Sequence, residues 1–207
     1  MILALVSTQF FSYDQASLKR LNKMECDVKP VRLAILGLGT VGGGALKLLQ
    51  ENAAEIRRRT DREIQITHVG TRRPRPDLNL ADSVKQSADL MEIVRQPDVD
   101  VVVEVMGGIH PAYELIMEAM KHGKHVVTAN KALLAEHGTA LFKAADEYKV
   151  QIAYEAAVAG GIPIIKVIRE GLAANRIDWL AGIINGTGNF ILSEMREKGR
   201  TFEDVLK

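Results

Sequence analysis

Three glycines, Gly37, Gly39 and Gly42, stand in G-x-G-x-x-G spacing inside the stretch VRLAILGLGTVGGGALKLL, residues 31–49. An apolar run leads into them and a helix-like pattern leads out, which gives each glycine a mechanical task. Gly37 permits a tight turn, Gly39 lets backbone approach a pyrophosphate, and Gly42 lets helix and strand pack closely. The N–H groups of a helix starting here, with Leu38, Thr40 and Val41 in the same turn, would face phosphates, and the helix dipole would add attraction. A second position bears on which dinucleotide is held. An Asp or Glu about 20–30 residues on would grip a ribose 2′-hydroxyl, yet the chain reads His68, Val69, Gly70, Thr71, Arg72, Arg73, with no acid between Glu63 and Asp77. Arg72 and Arg73 suit a 2′-phosphate through charge-assisted hydrogen bonds, favouring NADP over NAD; the alternative is a pair of solvated loop arginines.

Those residues need a scaffold. Residues 31–36, 63–70, 99–105, 124–128 and 150–154 are short runs rich in branched side chains and bounded by Gly, Pro or Asp, so they are predicted as five strands. Val41, Ala45, Leu48, Leu49, Ala53 and Ile56 form one apolar helical stripe, with others around 87–95, 112–121 and 138–148. Strands separated by helices are parallel, and a run such as VDVVVEV suits a strand covered on both faces. The expectation is an α/β fold, a doubly wound parallel sheet over residues 30–155, with residues 156–207 lying beyond it. Residues 1–29 are expected to be a disordered amino-terminal extension, and its first 23 residues to be dispensable.

Ligands of open α/β sheets bind beyond the carboxyl ends of the strands. Three segments qualify: EVMGGIHP, TANKALLA and EAAVAGGIP. Lys131 follows a buried strand closely, where an ammonium either meets a nicotinamide and a polar substrate or is simply solvated. Glu155 and the small residues behind it either turn oxygens toward a hard cation or form a glycine-rich joint between domains.

Composition narrows the field. With 207 residues, 47% of them hydrophobic and 26% charged, and a net charge of +1, the chain supports a folded core. Neither disorder nor general attraction to nucleic acid is indicated. A single cysteine, Cys26, excludes an internal disulfide framework and fits a reducing compartment, pointing to the cytoplasm. The opening MILALVSTQFF has no preceding basic residue and no small-residue cleavage pattern, so it is not read as a secretory signal. No stretch approaches the ~20 apolar residues of a membrane span.

Taken together, GLGTVGGG, VVVEVMGGIHPAYELIMEAMKHGKHVVTANKALLAEHG, YEAAVAGGIPIIK and GIINGTGNFIL resemble homoserine dehydrogenase, in that order, over residues 31–207. The resemblance implies reversible hydride transfer between NADP, or NAD, and L-homoserine or L-aspartate 4-semialdehyde, in the branch toward threonine, methionine and isoleucine. It implies a role for Lys131 beside the nicotinamide and substrate. It also makes Glu155, with the carbonyls of Val158, Gly160 and Ile162, similar to the family's site for a monovalent cation, Na+ or K+. A homodimer or homotetramer is implied for the full-length protein, with no nucleic acid or membrane partner. The resemblance makes residues 156–207 the beginning of a second, α+β substrate domain that homoserine dehydrogenases continue past this point, so the chain is expected to bind nucleotide without completing catalysis. Residues 176–185, RIDWLAGIIN, are predicted as a strand lacking a later partner, and Thr201 and Asp204 as a capping box opening a short helix.

Rival readings are weaker. A thioester-forming semialdehyde dehydrogenase needs a cysteine nucleophile in the site, and Cys26 precedes the first strand. A zinc alcohol dehydrogenase needs clustered ligands, whereas His68, His110, His122, His125 and His137 lie in separate segments. A Rossmann domain that senses nucleotide without catalysis accounts for the glycines but leaves TANK and EAAVAGGIP unexplained.

Overall fold

The computed structural model describes residues 29–73, 75–182 and 186–206; the expectations for the amino-terminal extension, including Cys26, lie outside them. Strand β1 (Val31–Leu36) has its last four residues buried, as an all-apolar run between two helical layers should. Around it lie β2 (Ile64–Gly70), β3 (Lys85–Ser87), β4 (Val101–Glu104), β5 (His125–Thr128) and β6 (Ile152–Ala153), in the order β3-β2-β1-β4-β5-β6. Every pairing is parallel. The sheet is therefore the doubly wound α/β fold, with its order reversing between β1 and β4, where such sheets open a crevice.

Alternation along the strands feeds two cores. Leu33, Ile35, Val69, Val101, Val103 and Val127 face α1 (Thr40–Glu51) and α2 (Ala53–Thr60), whose Leu46, Leu49 and Ile56 are buried. Ala34, Leu36, Val102 and Val126 face α3 (Leu90–Arg95), α4 (Ala112–Lys121) and α5 (Lys131–Glu147). Each buried Leu or Ile contributes about 1.5–3 kcal/mol. At the opposite end of the sheet from the crevice, the Arg32 guanidinium forks onto Asp100, at 2.7 and 3.0 Å, and ties the start of β1 to that of β4.

Three expectations need correction. The sheet has six strands rather than five, because β3 is the polar tripeptide Lys85–Ser87, an edge strand without an apolar run to announce it. Of the expected stripe, Leu49 and Ile56 are buried, but Val41 and Leu48 are 56% and 53% exposed, and the buried face of α1 is Gly42, Gly43, Leu46 and Leu49. The glycines let that face lie close to the sheet, which rotates the larger residues outward. Residues 176–182 pair with no strand among the described residues, and a segment without a neighbour forms no ladder; the last three residues of that expected strand lie outside the description.

One compact unit runs to Lys166, closing with the helical turn α6 (Ile164–Lys166), and a second begins at Val167. Within the second, α7 (Gly186–Lys198) is followed by α8 (Phe202–Val205). The Thr201 hydroxyl caps α8 by accepting from the Asp204 N–H at 3.2 Å, the expected cap. This unit keeps large apolar side chains in the open, Trp179 at 80% exposure among them.

Candidate functional site

The glycine turn is built as its spacing demands. Gly37 has φ +98°, left-handed backbone that favours glycine. A β-carbon on Gly42 would meet Gly37, whereas one on Gly39 would meet nothing within 4 Å, so space stands open above the middle glycine. Helix α1 starts there with Gly39 as its N-cap, without a side-chain cap and without an acid in its first turn. By contrast, α3 and α5 are capped by Asp89 and Asn130. The first amides of α1 have no intrahelical acceptor, and nothing on the helix start neutralises its positive end. That arrangement receives an anion such as a pyrophosphate.

Beyond β2, Thr71 folds the chain back: its hydroxyl donates to the Arg73 carbonyl at 2.7 Å, and its own N–H reaches Ser87 at 3.1 Å. Arg72 and Arg73 are exposed on that turn. Arg75, which the spacing argument passed over, forks onto Asp77 at 2.8 and 2.7 Å and donates to the carbonyl of Leu38 in the glycine turn. The first acid after β2 is thus already paired, and Asp77 is held below the usual carboxylate range chiefly by the Arg75 hydrogen bond.

The loops after β4 and β5, which are neighbours in the sheet, are bonded to each other at its carboxyl edge. Glu104 ends β4 fully buried, and one carboxylate oxygen accepts from the N–H groups of Met106 at 2.9 Å and Gly107 at 3.3 Å. The other accepts from the Thr128 hydroxyl at 2.7 Å. Thr128 in turn accepts from the Asn130 N–H at 3.1 Å. The Asn130 side chain then caps α5 by accepting from Leu133 at 3.2 Å and reaches back to the Gly108 carbonyl. Lys131 is the exposed first residue of that helix. Glu104, Thr128 and Asn130 were not singled out from the sequence, although a charge closing an all-apolar strand and an Asn directly before a helix are both readable signals.

Glu155 is half-buried in a 3₁₀ turn (Glu155–Ala157), and its two oxygens accept from the N–H groups of Ile165 at 2.9 Å and Lys166 at 3.1 Å. It therefore caps α6. Of the other oxygen donors named from the sequence, the Ile162 carbonyl accepts from Ile164 at 2.8 Å. Val158 is half-buried, whereas Gly160 and Ile162 are exposed. Among the described residues, no group of three or more His, Cys, Asp or Glu side chains is placed to hold a metal ion.

A family model described as homoserine dehydrogenase, NAD binding domain, matches residues 37–155, and a second, homoserine dehydrogenase, matches residues 163–207. The chain belongs to the homoserine dehydrogenase family. It is 59% identical to a homoserine dehydrogenase of Pseudomonas aeruginosa over 86% of this chain and 41% of that protein. With one from Neisseria gonorrhoeae the identity is 56%, over 87% of this chain and 41% of the relative. The chain therefore spans about two fifths of the length of these relatives. The crystal structure of a homoserine dehydrogenase from Thiobacillus denitrificans superposes with a TM-score of 0.80 at 55% identity, covering 86% of this chain and 41% of that one. A hyperthermophilic archaeal homoserine dehydrogenase in complex with NADPH superposes with a TM-score of 0.72 at 27% identity, covering 86% of this chain and 60% of that one. The glycine turn and the loops bearing Glu104 and Lys131 all fall within the NAD-binding match of this family.

Proposed function

We propose that this chain forms the nucleotide-binding part of an enzyme that interconverts L-homoserine and L-aspartate 4-semialdehyde with NADP, in the branch toward threonine, methionine and isoleucine. The observation that carries the reading is the uncapped, acid-free start of α1 behind the open space at Gly39, on the same carboxyl edge of the parallel sheet as Lys131, which opens α5 after β5. When bound, the nicotinamide supplies the hydride acceptor for homoserine oxidation and the donor for the reverse reaction. The amides from Gly39 to Gly42 hold the pyrophosphate. Arg72 and Arg73 take the 2′-phosphate, which favours NADP, in keeping with the NADPH bound by the archaeal relative. Lys131 places an ammonium beside the reacting hydroxyl or carbonyl oxygen, favouring the charge that develops there.

Glu155 with the carbonyls of Val158, Gly160 and Ile162 offers an all-oxygen donor set of the kind Na+ or K+ takes. Each Glu155 oxygen keeps a lone pair beyond the one used by the α6 amides. We place the protein in the cytoplasm as a homodimer or homotetramer. Among the described residues no helix is long and apolar enough to cross a membrane.

The test is a pair of measurements on the protein carrying this chain: NADPH binding by fluorescence, and homoserine-dependent reduction of NADP. Binding with turnover supports the enzyme reading, and Lys131→Met should keep the first while lowering the second by about 10²-fold or more. Tight nucleotide binding with no turnover would leave a nucleotide sensor instead.

A further inference from the structure

We propose that Glu104 is a positioning residue, a buried strut that sets where Lys131 stands relative to the nucleotide crevice. A fully buried carboxylate at the end of a central strand is costly unless its oxygens are satisfied, and here three donors converge on it: the N–H groups of Met106 and Gly107 and the Thr128 hydroxyl. Those donors come from two places, the loop after β4 and the last residue of β5. Met106 lies against the glycine turn, since a β-carbon on Gly37 would come within 2.9 Å of its Cγ and the Val105 N–H bonds the Leu36 carbonyl at 3.0 Å. Thr128 lies on the other side, where its oxygen also receives the Asn130 N–H and so fixes the residue that caps α5.

Asn130 closes the circuit by donating to the Gly108 carbonyl, so the chain of bonds runs from Glu104 through Thr128, Asn130 and Gly108 back to Gly107 and Glu104. A ring of this kind has one arrangement in which every member is satisfied, and loss of one member releases the others. Lys131 is the residue immediately after the cap, so its backbone is placed by this ring rather than by its own side chain. Glu104 acts through Thr128 and Asn130 and need touch neither nucleotide nor substrate.

The experiment uses the protein carrying this chain, three single variants and the double variant Thr128→Val with Glu104→Gln. Thr128→Val removes the hydroxyl at nearly constant shape, Thr128→Ser restores it, and Glu104→Gln removes the carboxylate. Amide hydrogen exchange over residues 129–134 and NADPH affinity are measured in each, with kcat and KM for homoserine. Thr128→Val and Glu104→Gln should each speed exchange in that segment at least tenfold and lower kcat at least tenfold, with NADPH affinity within twofold. Thr128→Ser should recover both within about threefold. Because the two residues act in one ring, the double variant should be no worse than the worse single variant, whereas independent structural losses would multiply. Unchanged exchange, or multiplying losses, would overturn the strut. The kcat arm rests on the homoserine reading above. A parent protein without homoserine turnover whose variants still show faster, non-multiplying exchange would defeat that reading and leave the strut standing.

Discussion

A β-carbon on Gly42 would stand 1.8 Å from the carbonyl oxygen of Gly37, backbone against backbone, while one on Gly39 would meet nothing within 4 Å. The two positions therefore separate folding from binding. Gly42→Ala forces helix α1 away from β1 and should destabilise the domain by about 1–3 kcal/mol or more, the range for overpacking. Gly39→Ala sits at φ −71°, which alanine accepts, and should leave thermal unfolding unchanged while weakening nucleotide binding at least tenfold. Equal melting temperatures for the two variants would refute the division of labour.

Arg72 and Arg73 are both exposed on the turn that Thr71 shapes. If they hold a 2′-phosphate, replacing both with Ala should weaken NADP binding by about 1.5–3 kcal/mol for each charged hydrogen bond lost, with NAD affinity nearly unchanged. Isothermal titration with both nucleotides decides this. Parallel losses for the two would return these arginines to the role of solvating the loop.

Much of this was legible in the sequence, for a physical reason in each case. Buried parallel strands announce themselves as apolar runs, so β1, β2, β4, β5 and β6 could be read, whereas Lys85–Ser87 joins the sheet only as a polar edge. In the helical stripe, Leu49 and Ile56 are buried as expected, but Val41 and Leu48 misled because α1 also meets the sheet through glycines, which carry no hydropathy signal. The site divides similarly. Lys131 stands out as a charge after an apolar strand. The residues that hold its backbone act through hydrogen bonds between segments 24 positions apart, and no local spacing records that Glu104 faces Thr128.

The Gln151 N–H donates to Nδ1 of His125 at 3.0 Å, so that nitrogen must be unprotonated for β5 and β6 to keep this link. Burial pushes the His125 pKa down, and His68 is pushed down likewise, chiefly by burial. Between the depressed folded value and the unfolded value of about 6.5, the unfolded chain binds more protons, so stability rises with pH there. The contribution is complete above about pH 6.5 and is lost as pH falls below it, at up to about 1.4 kcal/mol per pH unit for each histidine. His125→Asn offers an oxygen acceptor that does not titrate. Urea unfolding from pH 7 down to pH 5 should show a shallower slope in this variant than in the parent, and an identical slope would rule out His125 as its source.

Arg75 poses a sharper question about the glycine turn, because its one side chain pairs with Asp77 and donates to the Leu38 carbonyl. The fork is partly exposed, with 35% of the arginine side chain and 59% of the aspartate open to solvent, so the ion pair itself is screened and worth little. What it supplies is geometry: a planar guanidinium binds Asp77 with one edge while another N–H reaches the turn, which a lysine ammonium cannot reproduce. Arg75→Lys should therefore resemble Arg75→Ala rather than the parent, each losing about 0.5–1.5 kcal/mol of stability for the hydrogen bond to Leu38. Because Leu38 precedes Gly39, loosening it should weaken NAD and NADP alike, unlike the selective loss expected at Arg72 and Arg73. Chemical denaturation and nucleotide titration on both variants provide the check. A lysine that restored stability and affinity would show that positive charge alone suffices, and a loss confined to NADP would make Arg75 a phosphate ligand rather than a latch on the turn.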